Sequence, residues 1–212
     1  MHARTPPTPP KELWEQVRAQ PDRAPELIAL AAAQRLAPGA EQWAAEHAGE
    51  DPAKVARRAV KRHIRLSRLE GATAGLAGAW GIAPDLVALA WLESRMVLHV
   101  AASYGFDVRH PMRPAELLTL QGLYPTAQDA RDGLDGVGRH MAIAYAEGKM
   151  SGEEKLRTRL LKMVGERVAH RAAGKLIPGV ASPINAIQNG NAVAELGEKA
   201  IRFYGGDGDI AP

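Results

Sequence analysis

Seven histidines and a few carboxylates set in apolar stretches are the residues with which this chain could do acid–base, nucleophilic or metal chemistry. The histidines are His2, His47, His63, His99, His110, His140 and His170. A zinc hydrolase needs two histidines one helical turn apart around a glutamate, H-E-x-x-H, and none is so placed. The Glu-x-x-His pairs of a di-iron bundle are missing too. Glu166 and His170, at i and i+4, could share a metal, but a surface hydrogen bond explains such a pair as well. No serine sits in G-x-S-x-G. Gly133, Gly136 and Gly138 resemble a phosphate loop only loosely, with no strand pattern before them and no Gly-Lys-Ser/Thr after. Asp85, Glu93 and Asp107 could act as acids or bases, yet no spacing among them requires it. No catalytic residue, metal or cofactor is expected. A metal-dependent or hydrolytic enzyme ranks third among the functional readings.

The chemistry the residue types do favour is charge recognition. Asp51-Pro52 is a helix start, with an Asp N-cap and Pro at the first helical position. The helix beginning there carries Lys54, Arg57, Arg58, Lys61, Arg62, Arg65 and Arg68, with no acid between Asp51 and Glu70. At a helical repeat these seven fall within an arc of roughly 140°. Such a face is either simply solvated or a surface for anionic lipid, nucleic acid or an acidic partner. Nucleic acid is the weakest fit, because no aromatic side chains interleave for stacking and no DNA-binding motif is visible.

Composition bounds the scaffold that must carry this face. The chain has 212 residues, a net charge of +3, 46% hydrophobic residues and only 5% aromatic ones. Its core must therefore be built from Ala, Leu, Val and Ile, which suits closely packed helices. Without cysteine there are no disulfides or thiolate sites, which fits a reducing cytosol. The N-terminus has no apolar core of a secretory signal. The longest apolar run, Gly71 to Leu92, is interrupted by glycines, Pro84 and Asp85, so a clean transmembrane span is not expected.

The elements follow from punctuation and periodicity. Residues 1–10 read as a disordered Pro-rich tail, 11–50 as a weakly amphipathic helical arm, and 207–212 as a flexible tail. Within the arm, Pro25 opens a helix that Pro38-Gly39 is expected to end. Residues 51–206 form the main all-α domain. There the basic helix meets a bend with Gly71, Gly75, Gly78 and Gly81, whose spacing suits close helix packing. Pro84 restarts an apolar helix of about 20 residues ending at Tyr104-Gly105. Its interior Arg95 is expected to pair with a carboxylate, Asp85, Glu93 or Asp107. The capping box Ser151/Glu154 starts a second basic helix, and Pro178-Gly179 bends the chain into a last helix through Tyr204. AASYGFD and IRFYGGD end corresponding helices, so two related helical hairpins are expected.

KRHIRLSRLEGATAGLAG, PDL, ESRMVLHVAASYGFD and KLIPGVASPINAIQNGNAVAELGEKAIRFYGG, in this order, resemble the bacterial EcsC family over about residues 53 to 206. The resemblance implies an α-helical domain and no defined reaction. A distant similarity of that family to a lipid-associating helical senescence domain makes lipid or membrane association the leading expectation. The matching positions are Gly71, Gly75, Gly78, Asp85, Arg95, Tyr104, Gly105 and Asp107, then Pro178, Gly179, Pro183, Asn189, Gly197, Ala200 and Tyr204. Their polar members Asp85, Arg95, Asp107 and Asn189 are the candidate polar site. The first functional expectation is a non-enzymatic protein that binds lipid or an anionic membrane surface, cytoplasmic and peripheral to the inner face of the cell membrane. In it the basic helix meets headgroups, and the Gly-rich hairpin at 71–92, or the groove it borders, meets acyl chains. The alternative is an interaction or scaffold module, homodimeric in one form, whose basic helix binds an acidic protein.

Overall fold

The computed structural model describes residues 8–74, 82–135 and 181–206, and the side chains of 8–68, 86–135 and 190–206. Six α-helices organise them: α1 (Lys11–Ala19), α2 (Ala24–Glu46), α3 (Pro52–Ala74), α4 (Ile82–Ser103), α5 (Arg113–Leu120) and α6 (Ala181–Gly205). Residues 127–135 are also helical, and no strand occurs among the described residues. The all-α class is as expected. The second basic helix, its Ser151/Glu154 cap, Glu166/His170, the bend glycines 75, 78 and 81, residues 1–7 of the first tail and the whole of the last lie outside the described residues.

The helix α4 is the hub. It packs against α2 on one side and α3 on another, and also meets α6 and α5, while α3 in turn packs along α6. The apolar side chains of α4 explain this position: Leu86, Val87, Leu89, Met96, Val97, Leu98 and Val100 are all buried. The window Leu86–Ser103 is long and apolar enough to cross a membrane, with mean hydropathy 1.3, but 83% of it is buried inside the fold. Leu86, Val87 and Leu89 to Leu92 are buried, and Ala88 is half-buried.

One expectation at the N-terminal end is corrected. The helix α2 does not stop at Pro38-Gly39 but continues to Glu46 with Pro38 inside it. A proline there removes one backbone bond, to the carbonyl of Gln34, and costs about 3 kcal/mol in a helix interior. Gln34, Pro38 and Gly39 all face solvent, so water can take up that carbonyl. Burial of Ala40 and Trp43 on the following turn offsets the cost. The helix α2 packs directly on the main body. Ile28, Ala29, Ala32, Leu36, Ala37, Ala40 and Trp43 belong to the same core cluster as α4. Its amphipathicity is masked in the sequence because alanines occupy both faces.

The bend is also shorter than expected on its first side, since α3 includes Gly71 and runs to Ala74. The end of α4 follows the expected form. Gly105 takes φ +81°. The Phe106 N–H reaches back to the Ala101 carbonyl at 3.1 Å and the Gly105 N–H to that of Ala102 at 3.0 Å. This is a Schellman closure, in which only glycine adopts the left-handed residue without strain. In the echoing segment the positive φ falls one residue later, at Gly206.

Candidate functional site

The basic face is built by the start of α3. The Asp51 carboxylate accepts the Ala53 N–H at 3.2 Å, capping the first turn. From there Lys54, Arg57, Arg58, Lys61, Arg62, Arg65 and Arg68 are all exposed, over about 21 Å of helix. Val55, Ala56, Ala59, Val60, His63 and Ser67 on the opposite side are buried. Arg58 is engaged by Glu50, with bonds of 3.1 and 2.9 Å that hold the Glu50 carboxyl below its usual range. The Arg62 guanidinium lies 5.9 Å from the Trp43 ring centroid. The stem of Arg68 crosses α6 at Gly190, where a Cβ would come within 2.5 Å of its Nε. Among the described residues, no carboxylate pairs with any of the seven except Arg58.

Directly behind this face is a row of aromatic rings. Trp43 of α2 stacks on His47 at 4.0 Å and meets His99 of α4 edge-on at 5.5 Å. His99 meets His63 of α3 edge-on at 5.2 Å. His63 Nδ1 is 2.8 Å from the Ala59 carbonyl, and His99 Nδ1 is 2.7 Å from that of Arg95. A carbonyl only accepts, so each Nδ1 carries the proton and each Nε2 keeps a lone pair. Trp43 Nε1–H donates to Ser103 Oγ at 3.1 Å, and Ser103 Oγ–H donates to the His99 carbonyl at 2.7 Å. Burial, the neighbouring His99, Arg95 and Arg62 push the His63 pKa well below the usual histidine range. Burial, Arg95 and Arg62 push that of His99 down to about 4. Both rings are therefore neutral near pH 7.

A second buried polar group clamps the far end of α4. Arg113 donates from Nε to the Asp107 carbonyl at 2.9 Å and forms an ion pair with Glu116. Tyr204 of α6 donates to the same Glu116 oxygen at 2.6 Å. The guanidinium lies 5.4 Å from the Phe106 centroid and 5.5 Å from that of Tyr204. Every partner here is satisfied by another, and burial together with Glu116 raises the Tyr204 pKa well above the ordinary tyrosine value. This is a structural clasp between α5 and α6. Tyr204→Phe removes the hydroxyl donor to a buried carboxylate. It should cost about 1–3 kcal/mol, read as a lower urea midpoint with an unchanged slope.

The four candidate polar residues do not form one site. Asp107 is exposed, and its carboxylate accepts the Arg109 N–H at 2.8 Å in a turn. Arg95 is half-buried beside the histidine pair, about 12 Å of helix rise before the end of α4, whereas Asp107 lies in the turn beyond it. The backbones of Asp85 and Asn189 lie in α4 and α6, and their side chains are outside the described residues. Among the described residues no three His, Asp or Glu side chains gather as metal ligands would. A groove of about 520 Å³ between α2 and residues 108–114 is mainly apolar, and Arg109 at its edge is tied to Glu41.

The model of the EcsC protein family matches residues 40–205, from the last turns of α2 to the end of α6. The chain belongs to the EcsC family. That match takes in the whole basic face, the histidine row and the clasp. It leaves outside α1 and the first part of α2, although these share the core of the EcsC-family region. Neither the curated proteins nor the solved structures contain a match.

Sequence reasoning found the basic face but missed the histidine row and the clasp. A signal for His63 was present. It lies about 180° around α3 from Lys54, at the centre of the apolar face, where a histidine must be buried. Nothing local marks His99 or Trp43 as its neighbours, because those contacts join different helices.

Proposed function

We propose that this EcsC-family protein binds an anionic membrane surface through the exposed face of α3. One observation carries the reading: seven cations share one face of a single helix and only Arg58 is neutralised by a described carboxylate. A folded surface that needed no anionic partner would be expected to intersperse acids among these bases. Each basic residue near an anionic leaflet contributes about 1 kcal/mol. The six without a described carboxylate partner give on the order of 6 kcal/mol before the cost of docking is subtracted. The anionic cytoplasmic leaflet of a cell membrane is the proposed surface, and the protein is peripheral to it.

The apolar flank of α3 and the buried side chains of α4 are unavailable while the bundle is closed, so binding in this state is electrostatic. It should weaken steeply as salt shortens the Debye length from about 30 Å at 0.01 M to about 8 Å at 0.15 M. Flotation with vesicles of phosphatidylserine and phosphatidylcholine, against phosphatidylcholine alone, tests this. Salt-sensitive flotation with the anionic vesicles only is expected. Absence from both, or equal flotation with both, contradicts the proposal.

A further inference from the structure

The helices α3 and α4 are joined across the middle of their seam by two titratable rings instead of aliphatic side chains. His63 is fully buried on α3 and His99 is 2% exposed on α4. Their rings meet edge-on at 5.2 Å. Each donates its only N–H to a carbonyl one turn earlier on its own helix. The remaining lone pair at His63 Nε2 is buried with no hydrogen-bond partner. Among the described residues, no carboxylate bonds to that atom.

The surroundings sharpen this. From α2 the row is faced by Trp43 and His47, and from α3 by Arg62. From α4 it is faced by Arg95, whose charge acts on both rings. Glu93 lies about 120° around α4 from His99, and no carboxylate contributes to the shift of either ring. On α6, Glu195, Glu198 and Arg202 are exposed, and Lys199 pairs with Glu195. On α5, Arg113 and Glu116 are bound to each other and to Tyr204. Among the described residues, the charges that act on the pair are therefore those of Arg62 and Arg95.

We propose that the His63–His99 pair is an acid-sensitive latch, whose protonation between Arg62 and Arg95 separates α3 from α4. Opening exposes the part of the apolar flank of α3 that α4 covers around His63, while Val60 stays against Gly197 of α6. The result is a helix that is basic on one side and apolar on the other, the form that lies in a membrane interface. The latch itself does not depend on membrane binding, and goes beyond it by adding a condition under which the core opens.

The sign follows from linkage. The open state has ordinary histidines near pKa 6.5, and the closed state holds His99 at about 4 and His63 well below its ordinary value. The open state thus binds more protons between these limits, and the closed state loses stability as pH falls through that window. Two protons make the opening equilibrium approach roughly 100-fold per pH unit there, and one proton roughly 10-fold.

Hydrogen exchange of the full chain from pH 7.5 to 4.5, corrected for intrinsic exchange, reads this opening amide by amide. Protection in α3 and α4 should fall with a two-proton slope, ahead of the α1–α2 contact. His63→Phe keeps an aromatic edge against His99 and should reduce the slope to one proton. The double variant with His99→Phe should lose the dependence. Constant protection across the window, or the same slope in the double variant, overturns the latch. Should the variants fail to fold, nitrogen-15 spectra of the wild-type histidines decide. Protonation of both Nε2 atoms together with loss of protection supports the latch, and protonation with protection intact overturns it.

Discussion

Replacing Arg57, Lys61 and Arg65 together with glutamate should weaken binding to anionic vesicles by at least roughly 100-fold and flatten its salt dependence. The three are chosen because nothing else holds them. Arg58 already serves Glu50, Arg62 rests on Trp43 and Arg68 lies across Gly190. Removing three basic residues at about 1 kcal/mol each accounts for some 100-fold, and the reversed charges add repulsion. All three side chains are exposed, so the fold should be retained. Circular dichroism and the urea midpoint check that, and flotation across a salt series measures the effect. Unchanged binding with an intact fold would remove α3 as the contact surface. The Arg58→Glu change, by contrast, leaves Glu50 beside a like charge, so any loss it causes mixes binding with local rearrangement.

A stability effect whose sign can be reversed should come from the other side of α3. Gly197 of α6 faces Val60, and a Cβ there would lie 2.6 and 2.8 Å from the two Val60 methyl carbons. Real Cβ atoms do not approach so closely, and a valine has no flexible end to move aside. Taken alone, Gly→Ala in a helix interior favours folding by about 1 kcal/mol. Forcing a methyl into this contact costs about 1–3 kcal/mol, so Gly197→Ala should be destabilising on balance. In a Val60→Ala background the clash is relieved, and the same change should become neutral or stabilising. Paired urea melts of the four proteins read that reversal of sign directly. Stabilisation by Gly197→Ala in the wild-type background would mean that α3 and α6 do not meet at this distance.

What could be read in the sequence was local. The helix start at Asp51-Pro52 and the glycine after Tyr104 depend on a few adjacent residues, and they came out as expected. The seven exposed cations follow from a single helix and its period, and the apolar face opposite them follows equally. What could not be read depends on which helices meet. The alanines of α2 give no clear stripe, so its place beside α4 was hidden. Pro38 carries a real local cost that tertiary burial overrides. The His63–His99 contact and the Arg113–Glu116–Tyr204 clasp join residues 36 to 91 positions apart, a separation at which periodicity says nothing. The candidate residues Arg95 and Asp107 were grouped by character alone, and helix geometry separates them.

The account rests on one face of α3 meeting the membrane, and the absence of cysteine makes that face easy to address. A single Lys61→Cys protein, spin-labelled and mixed with phosphatidylserine-containing vesicles at low salt, reports contact at the middle of the basic stripe. A Gln128→Cys protein labelled in the same way reports a distant exposed position. The account predicts slowed label motion and reduced access to a water-soluble relaxant at position 61, reversed by salt, with no change at position 128. Equal changes at both positions, or none at 61 while the protein floats with the vesicles, would contradict it.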